Sequence, residues 1–224
     1  MELLHKKNLI IAGPCSVEGE EQIIQTAKEL KETGKVDVLR GGVWKPRTNP
    51  GGFEGVGVKG LSWLSQAKKE TGLPIGVEVA TSKHVEDALN FDTDLLWIGA
   101  RTTVNPFSVQ MIADSLKGTD QTVLIKNPVN PDLKLWIGAI ERLQKAGITK
   151  IGLIHRGFSS YGNTEFRNAP LWQIPIEMKR LFPDLPMICD PSHICGKKDT
   201  LSMISQKSLD LDYSGLMIES HLTP

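Results

Sequence analysis

The stretch Leu133–Arg156, LKLWIGAIERLQKAGITKIGLIHR, contains one complete unit of the pattern that decides the fold. A cation and a glycine in Lys145-Ala146-Gly147 mark the end of a helix, and the run Ile151–Ile154 after them predicts a short buried strand. A charged residue, Arg156, follows that strand. The helix before the stop is predicted from apolar residues that fall on one face, at Leu133, Trp136, Ile137, Ile140 and Leu143.

The same order of helix, stop and strand recurs along the chain. Lys31-Glu32-Thr33-Gly34 and Lys69-Glu70-Thr71-Gly72 each place a cation and a glycine just before an apolar run. Apolar strands that alternate with amphipathic helices predict a parallel sheet. Eight runs predict strands, at Leu9–Ala12, Val36–Leu39, Ile75–Val79, Leu95–Ile98, Thr122–Ile125, Ile151–Ile154, Met187–Cys189 and Gly215–Ile218.

Eight such units favour the α/β fold class and a (β/α)8 TIM barrel, with residues 1–224 as a single domain. The alternative is an open Rossmann-like sheet. That fold has the motif G-x-G-x-x-G after its first strand. This sequence does not, since the residues there are Gly13-Pro14-Cys15-Ser16-Val17-Glu18. Because the sequence stops at Pro224, directly after the eighth strand, we expect a barrel that lacks its eighth helix, either as an open seam or as a piece of a longer chain.

The composition excludes several classes of partner. The 224 residues include 26 Lys+Arg and 26 Asp+Glu, so no net charge attracts nucleic acid or an anionic membrane. The sequence has no apolar run of the ~18 residues that a transmembrane helix needs, and its first residues do not resemble a signal peptide. We therefore expect a cytoplasmic protein, whose three cysteines, without a C-x-x-C pair, are reduced thiols.

Ionisable residues follow nearly every predicted strand. In a TIM barrel the carboxyl ends of the strands and the loops after them build the active site. A mouth ringed by cations repels itself unless anions fill it, so the pattern predicts a phosphorylated, multiply anionic substrate. The residues at these positions are Cys15, Arg40, Lys45, Arg47, Glu78, Arg101, Lys126, Arg156, Asp190, His193 and Glu219.

Three of these residues form a candidate metal site. Cys15, His193 and Glu219 follow the first, seventh and eighth strands, which are neighbours around a closed barrel. A thiolate, an imidazole and a carboxylate suit a divalent transition metal, with Zn2+, Mn2+, Fe2+ and Co2+ all compatible. The alternative interpretation is structural: a small buried cysteine, a histidine bonded to backbone and an ion-paired glutamate. Asp190 lies three residues before His193, where a carboxylate can orient a substrate hydroxyl or the metal ligands.

The motifs together resemble one enzyme family, over essentially the whole chain. This is the family of 3-deoxy-D-arabino-heptulosonate 7-phosphate (DAHP) synthases and 3-deoxy-D-manno-octulosonate 8-phosphate (KDO8P) synthases. Lys45-Pro46-Arg47-Thr48 is similar to the DAHP branch, which favours that branch. The matching motifs are Ala12-Gly13-Pro14-Cys15-Ser16, Arg40-Gly41-Gly42-Val43-Trp44-Lys45-Pro46-Arg47-Thr48, Ile98-Gly99-Ala100-Arg101, Lys126, Arg156-Gly157 and Asp190-Pro191-Ser192-His193.

The resemblance implies a metal-dependent transferase that condenses phosphoenolpyruvate with D-erythrose 4-phosphate, the first step of the shikimate pathway to aromatic amino acids. Erythrose 4-phosphate would meet Arg47, Thr48 and Asn105, and Lys126 or Glu78 would carry protons. Cys15, His193 and Glu219 correspond to three of the family's four metal ligands, and the fourth, an aspartate, would fall past Pro224. Phosphoenolpyruvate would be held by Arg40, Lys45, Arg101, Lys126 and Arg156.

The resemblance also implies a homo-oligomer, a dimer or a tetramer, with a fused or associated chorismate mutase domain as a candidate partner. Three alternatives stay open on the sequence. One is a KDO8P synthase that uses arabinose 5-phosphate, and another is an aldolase in which Lys126 forms a Schiff base. The third is a catalytically silent barrel that binds phosphate ligands, because the fourth metal ligand is missing.

Overall fold

Eight parallel strands close into a barrel in the computed structural model, which describes residues 3–45, 51–162 and 165–222. Each strand pairs with the next in the sequence, and β1 pairs with β8 from Leu9–Gly215 to Gly13–Glu219. The predicted TIM barrel is confirmed, and the open-sheet alternative is wrong. The strands are β1 Leu9–Gly13, β2 Val38–Arg40, β3 Ile75–Val79, β4 Leu95–Ile98, β5 Thr122–Lys126, β6 Ile151–His155, β7 Met187–Cys189 and β8 Gly215–Glu219.

Helices connect successive strands, and side chains cap several of them. The Asp132 carboxylate accepts a hydrogen bond from the Leu135 amide, and Gly72 ends α2 in the left-handed conformation. The described residues after β8, 220–222, contain no helix. The helices are α1 Glu20–Glu32, α2 Val58–Thr71, α3 Ser82–Asn90, α4 Ala100–Thr103, α5 Pro106–Ser115, α6 Leu133–Lys145, α7 Gln173–Leu181, α8 Pro191–Cys195 and α9 Leu201–Asp210, preceded by a 3-10 turn at Leu3–His5.

Two apolar cores flank the barrel wall because successive strand residues point to opposite faces. The outer core lies between the strands and the helices, and it includes Leu39, Ile98 and Trp136. Leu4 of the 3-10 turn packs against the inner core. That inner core consists of Leu4, Leu9, Ile11, Val38, Leu95, Trp97, Leu124, Ile154, Ile188 and Met217.

None of the helices in the described ranges combines the length and the apolar character that a membrane span requires.

Candidate active site at the barrel mouth

Side chains alternate between the two faces of a strand, and this alternation places charged residues on the interior face at one end of the barrel. A residue two positions after an interior apolar residue points to the same side of the strand, one step closer to the carboxyl end. Because the interior apolar residues form one layer, the residues two positions later form the next layer. These pairs are Val38 and Arg40, Leu124 and Lys126, Ile154 and Arg156, Ile188 and Asp190, and Met217 and Glu219.

A cavity of about 400 Å³ opens above this layer. Its volume lies within the range of roughly 300–1,000 Å³ that is usual for small-molecule sites. Five of its lining side chains are cationic and one, Glu78, is a carboxylate, so the cavity favours an anion. The lining residues are Cys15, Lys45, Glu78, Ala100, Arg101, Lys126, Val129, Arg156, Arg167, Asn168 and His193.

A buried ion pair lies at the floor of the cavity. Lys126 Nζ is 2.8 Å from Asp190 Oδ2, and both side chains are almost fully buried. The other carboxylate oxygen of Asp190 accepts hydrogen bonds from the His193 amide at 3.1 Å and lies 3.0 Å from His193 Nδ1. Burial by itself would raise the pKa of Asp190, but its contacts with His193 and Lys126 hold that pKa well below the usual range. Asp190 therefore stays ionised and fixes both neighbours.

Arg40 and Glu219 face each other beside this pair. Arg40 Nη1 lies 3.7 Å from Glu219 Oε1, too far for a hydrogen bond. Burial would raise the pKa of Glu219, but the charges of Arg40 and His193 and the hydrogen bond from Cys15 together outweigh it, so that pKa is lowered. Glu219 Oε1 and the Nε and Nη1 atoms of Arg40 are buried without a hydrogen-bond partner among the described residues. Buried polar atoms are usually satisfied in proteins, so these three atoms indicate a place where a ligand binds.

Cys15 lies next to Lys45 at the rim. Lys45 Nζ donates to the Cys15 carbonyl oxygen at 2.7 Å and lies 3.2 Å from Cys15 Sγ. A side chain at Gly42 would place its Cβ 2.1 Å from the same carbonyl and 2.9 Å from Lys45 Nζ, so only glycine permits this approach. The lysine therefore places a positive charge close to the Cys15 sulfur.

The three predicted metal ligands converge at this side of the mouth. His193 Nδ1 lies 3.6 Å from Glu219 Oε1, and the Cys15 thiol interacts with the same carboxylate. Within residues 3–45, 51–162 and 165–222, no group of three His, Cys, Asp or Glu side chains is already arranged as a metal site. The donor types and the unsatisfied Glu219 oxygen nonetheless fit a divalent transition metal.

Glu78 is held by a tryptophan inside the barrel. Trp97 is fully buried, and its Nε1 donates to Glu78 Oε2 at 2.8 Å. The Arg40 guanidinium carbon lies 5.3 Å from the centre of the Trp97 ring system, and Lys126 Nζ lies 6.0 Å away, both within reach of a cation–π contact. A Cβ at Gly99 would come within 2.3 Å of Glu78 Oε1, so a glycine at this position leaves room for the carboxylate.

Three arginines, Arg101, Arg156 and Arg167, line the cavity, and their charges influence one another. The pKa of Arg156 is lowered to about 10, mainly by burial; the charges of Arg167 and Arg101 contribute to the lowering, and Asp190 counteracts it. An anion that binds between these groups would relieve their repulsion. The planar guanidinium is well suited to phosphate and carboxylate oxygens.

Some predicted site residues lie elsewhere. Asn105 does not line the cavity; its Oδ1 accepts hydrogen bonds from the amides of Phe107 and Ser108 and so caps α5. Arg47 and Thr48 lie outside the described residues, so their role in binding erythrose 4-phosphate stays a prediction, as does that of Asn105.

Three residues with a place in the site were missed by the sequence analysis. Arg167 and Asn168 lie in the loop after β6, where no strand end marks them, and Trp97 has the pattern of an ordinary apolar strand residue. The alternation of side chains along β4 could have indicated the position of Trp97, because it places this residue on the interior face with Leu95.

His155 anchors the loop that carries Arg167 and Asn168. It is fully buried on the outer side of β6, its Nε2 lies 2.6 Å from the Pro170 carbonyl oxygen, and its Nδ1 lies 3.1 Å from the Tyr213 hydroxyl. A neutral ring that donates from Nε2 and accepts at Nδ1 satisfies both contacts. Burial lowers the pKa of His155 to about 4, which keeps the ring neutral.

This pKa makes the stability of the chain dependent on pH. The unfolded chain, with a histidine pKa near 6.5, takes up the proton before the folded chain does. The contribution of His155 to stability is therefore complete above pH 6.5 and falls by about 3 kcal/mol as the pH decreases to 4. We expect His155→Gln, which cannot titrate, to lose correspondingly less stability than the wild type in urea unfolding between pH 7 and pH 4. Equal losses would contradict the assignment.

Comparison with known proteins gives the family. The DAHP synthetase I family matches residues 5–224. Phospho-2-dehydro-3-deoxyheptonate aldolase from Thermotoga maritima is 34% identical over 215 residues, which cover 96% of this chain and 61% of that protein. 2-Dehydro-3-deoxyphosphooctonate aldolase from Nitratidesulfovibrio vulgaris is 25% identical over 256 aligned positions, with 99% and 84% covered. The chain thus spans about three fifths of the length of the Thermotoga relative.

Solved structures agree with this result. The crystal structure of DAHP synthase from Thermotoga maritima superposes with a TM-score of 0.82 at 31% identity, covering 97% of this chain and 60% of that one. A truncated form of 3-deoxy-D-arabino-heptulosonate 7-phosphate synthase from the same organism gives 0.80 at 29% identity, covering 97% and 76%. Since both the sequence match and the barrel extend over nearly the whole chain, the chain belongs to the DAHP synthetase I family.

Proposed function

We propose that residues 1–224 act as one catalytic barrel domain that condenses phosphoenolpyruvate with D-erythrose 4-phosphate and water, giving DAHP and inorganic phosphate. The observation that carries this proposal is the cavity at the barrel mouth, with five cationic side chains and one carboxylate. Both substrates are phosphorylated, and phosphoenolpyruvate also bears a carboxylate, so their charge matches the excess of cations. The relatives named DAHP synthase support the choice of the four-carbon sugar.

In this proposal the cations orient phosphoenolpyruvate and stabilise the charge that develops as phosphate leaves. Arg101 and Arg156 bind phosphate or carboxylate oxygens through their planar guanidinium groups. Lys126 serves as a fixed positive charge, because the Asp190 carboxylate holds it at 2.8 Å. The same ion pair disfavours a Schiff base at Lys126, since it holds the amine nitrogen against the Asp190 carboxylate.

Glu78 is the stronger of the two candidate proton carriers. Its Oε2 accepts the Trp97 indole proton, and its side chain lines the cavity. A carboxylate that lines the cavity and has one oxygen fixed can accept or return a proton as water adds to C2 of the enol phosphate. Lys126, by contrast, is occupied by Asp190.

Cys15, His193 and Glu219 would hold the divalent cation. When bound, this cation would supply Lewis acidity toward the aldehyde oxygen. Asp190 fixes His193 through Nδ1 and the backbone amide, which leaves Nε2 as the ring nitrogen available for a ligand. Assembly into a dimer or a tetramer and an associated chorismate mutase domain stay predictions.

Phosphate release tests the proposed function. We expect release from phosphoenolpyruvate with erythrose 4-phosphate and Mn2+, none with a chelator, and little with arabinose 5-phosphate. Arg156→Ala should reduce the rate by about 100-fold or more, because it removes a charge that stabilises the departing phosphate. Arg180→Ala is the matched control, since Arg180 forms an exposed ion pair with Glu177 on α7 and does not line the cavity.

The other outcomes point to other functions. Phosphate release with arabinose 5-phosphate but not with erythrose 4-phosphate would assign the chain to the KDO8P synthase branch. Binding of phosphoenolpyruvate without release with either sugar would indicate a phosphate-binding barrel without catalytic activity. Release that persists with a chelator would contradict the metal requirement.

A further inference from the structure

The loop between β6 and α7 folds back onto α8 beside the cavity. Phe158 and Ala169 form an antiparallel bridge, with both amide-to-carbonyl distances at 2.8 Å. The Asn168 amide donates to the Ile194 carbonyl oxygen at 3.1 Å. These backbone contacts fix the position of residue 168 between the end of β6 and α8, the helix that carries His193.

The Asn168 side chain connects two residues of the site. It is buried, its Oδ1 accepts from Arg156 Nη1 at 2.7 Å, and its Nδ2 donates to the His193 carbonyl oxygen at 2.6 Å. A guanidinium can only donate and a carbonyl oxygen can only accept, so the chemistry fixes which end of the amide faces each partner. A single neutral side chain thereby joins Arg156, the first residue after β6, to α8.

A neutral anchor suits the position of Arg156. The guanidinium lies close to Arg101 and Arg167, whose charges repel it, so without an anchor it would tend to turn away from the cavity. A carboxylate would hold it more strongly but would also neutralise the charge that an anionic substrate needs. The Asn168 amide orients the guanidinium and leaves its positive charge available.

We propose that Asn168 is a positioning residue for phosphoenolpyruvate: it holds the Arg156 guanidinium in the cavity and connects it to α8, the helix that carries His193. This inference rests on the proposed function, because it assumes that phosphoenolpyruvate is the anion that Arg156 binds. Asn168 acts through Arg156, so its effect on binding should disappear when the guanidinium is absent.

A double-mutant cycle tests this coupling. Phosphoenolpyruvate is titrated by calorimetry, without added metal, into the wild type, Asn168→Leu, Arg156→Ala and the double variant. We expect Asn168→Leu to weaken binding by about tenfold, as for the loss of a hydrogen bond to a charged group. In the Arg156→Ala background the same substitution should change the affinity by less than about twofold, since interacting residues are not additive.

The outcomes separate this inference from the proposed function. Asn168→Leu with wild-type affinity, or a tenfold loss that persists without Arg156, would overturn the positioning role. Absence of phosphoenolpyruvate binding by the wild type would overturn the proposed function and this inference with it. Thermal melting of each variant checks its folding. Asn168→Ala is a second substitution at the same position, and the affinity is read from whichever of Asn168→Leu and Asn168→Ala retains the cooperative transition of the wild type.

Discussion

Replacing Lys126 with methionine is expected to lower the free energy of unfolding by about 3–5 kcal/mol, because it leaves a buried carboxylate without its cation. Both members of the Lys126–Asp190 pair are almost completely buried, and Asp190 stays ionised. His193 still contacts Asp190 but does not replace the lost ammonium charge. We also expect the rate of phosphate release to fall on the order of 100-fold, since the cation faces the substrate cavity.

Urea unfolding and steady-state kinetics check this expectation. Adding Asp190→Asn to Lys126→Met removes the unpaired charge, so the double variant should recover part of the lost stability but none of the activity. Lys117→Met is the matched control, because both members of the Lys117–Asp114 ion pair are exposed, so its loss should leave both quantities nearly unchanged. A Lys126→Met chain as stable as the wild type would show that the buried pair does not stabilise the fold.

Replacing Trp97 with alanine is expected to lower the free energy of unfolding by about 3–5 kcal/mol, because it empties the centre of the inner core. Trp97→Phe keeps an aromatic ring but removes the indole donor to Glu78, so its loss of stability should be smaller, about 1–3 kcal/mol. The Phe variant should nevertheless release phosphate about tenfold more slowly than the wild type, since Glu78 is no longer oriented for proton transfer.

Trp136→Phe separates packing from positioning. Trp136 is also fully buried, but it lies in the outer core, where its Nε1 is 3.4 Å from the Ile125 carbonyl oxygen. The same chemical change there should reduce stability and leave turnover close to that of the wild type. If Trp97→Phe turned over as fast as Trp136→Phe, the Trp97 indole would serve packing alone.

The fold could be predicted from the sequence because it depends on local patterns. The helical spacing of Trp136, Ile140 and Leu143 and the glycine at Gly147 specify where one helix lies and ends, whatever the rest of the chain does. Eight repeats of that unit leave few arrangements, and the chain adopts the closed barrel in which each strand pairs with the next. The prediction placed β2 at Val36–Leu39, whereas the strand is Val38–Arg40, since propensity locates the ends of strands poorly.

The sequence by itself determined which charges surround the mouth of this barrel. Arg40, Lys126, Asp190 and Glu219 each follow an apolar strand run, and the period of two carries them onto the interior face. Only the tertiary structure decided how they pair. Lys126 and Asp190 are separated by 64 positions in the sequence, and their contact depends on the curvature of the closed sheet.

The hydrogen-bond partners of Asn168 and Trp97 were also decided only by the tertiary structure. The residues next to Asn168 in the sequence do not indicate its contacts with Arg156 and His193. Those next to Trp97 do not indicate its contact with Glu78. Judged by local propensity, an asparagine indicates a turn and a tryptophan indicates an apolar strand position. A hydrogen bond extends over about 3 Å, so which groups it joins is determined when barrel closure and the return of the loop to α8 bring distant segments together.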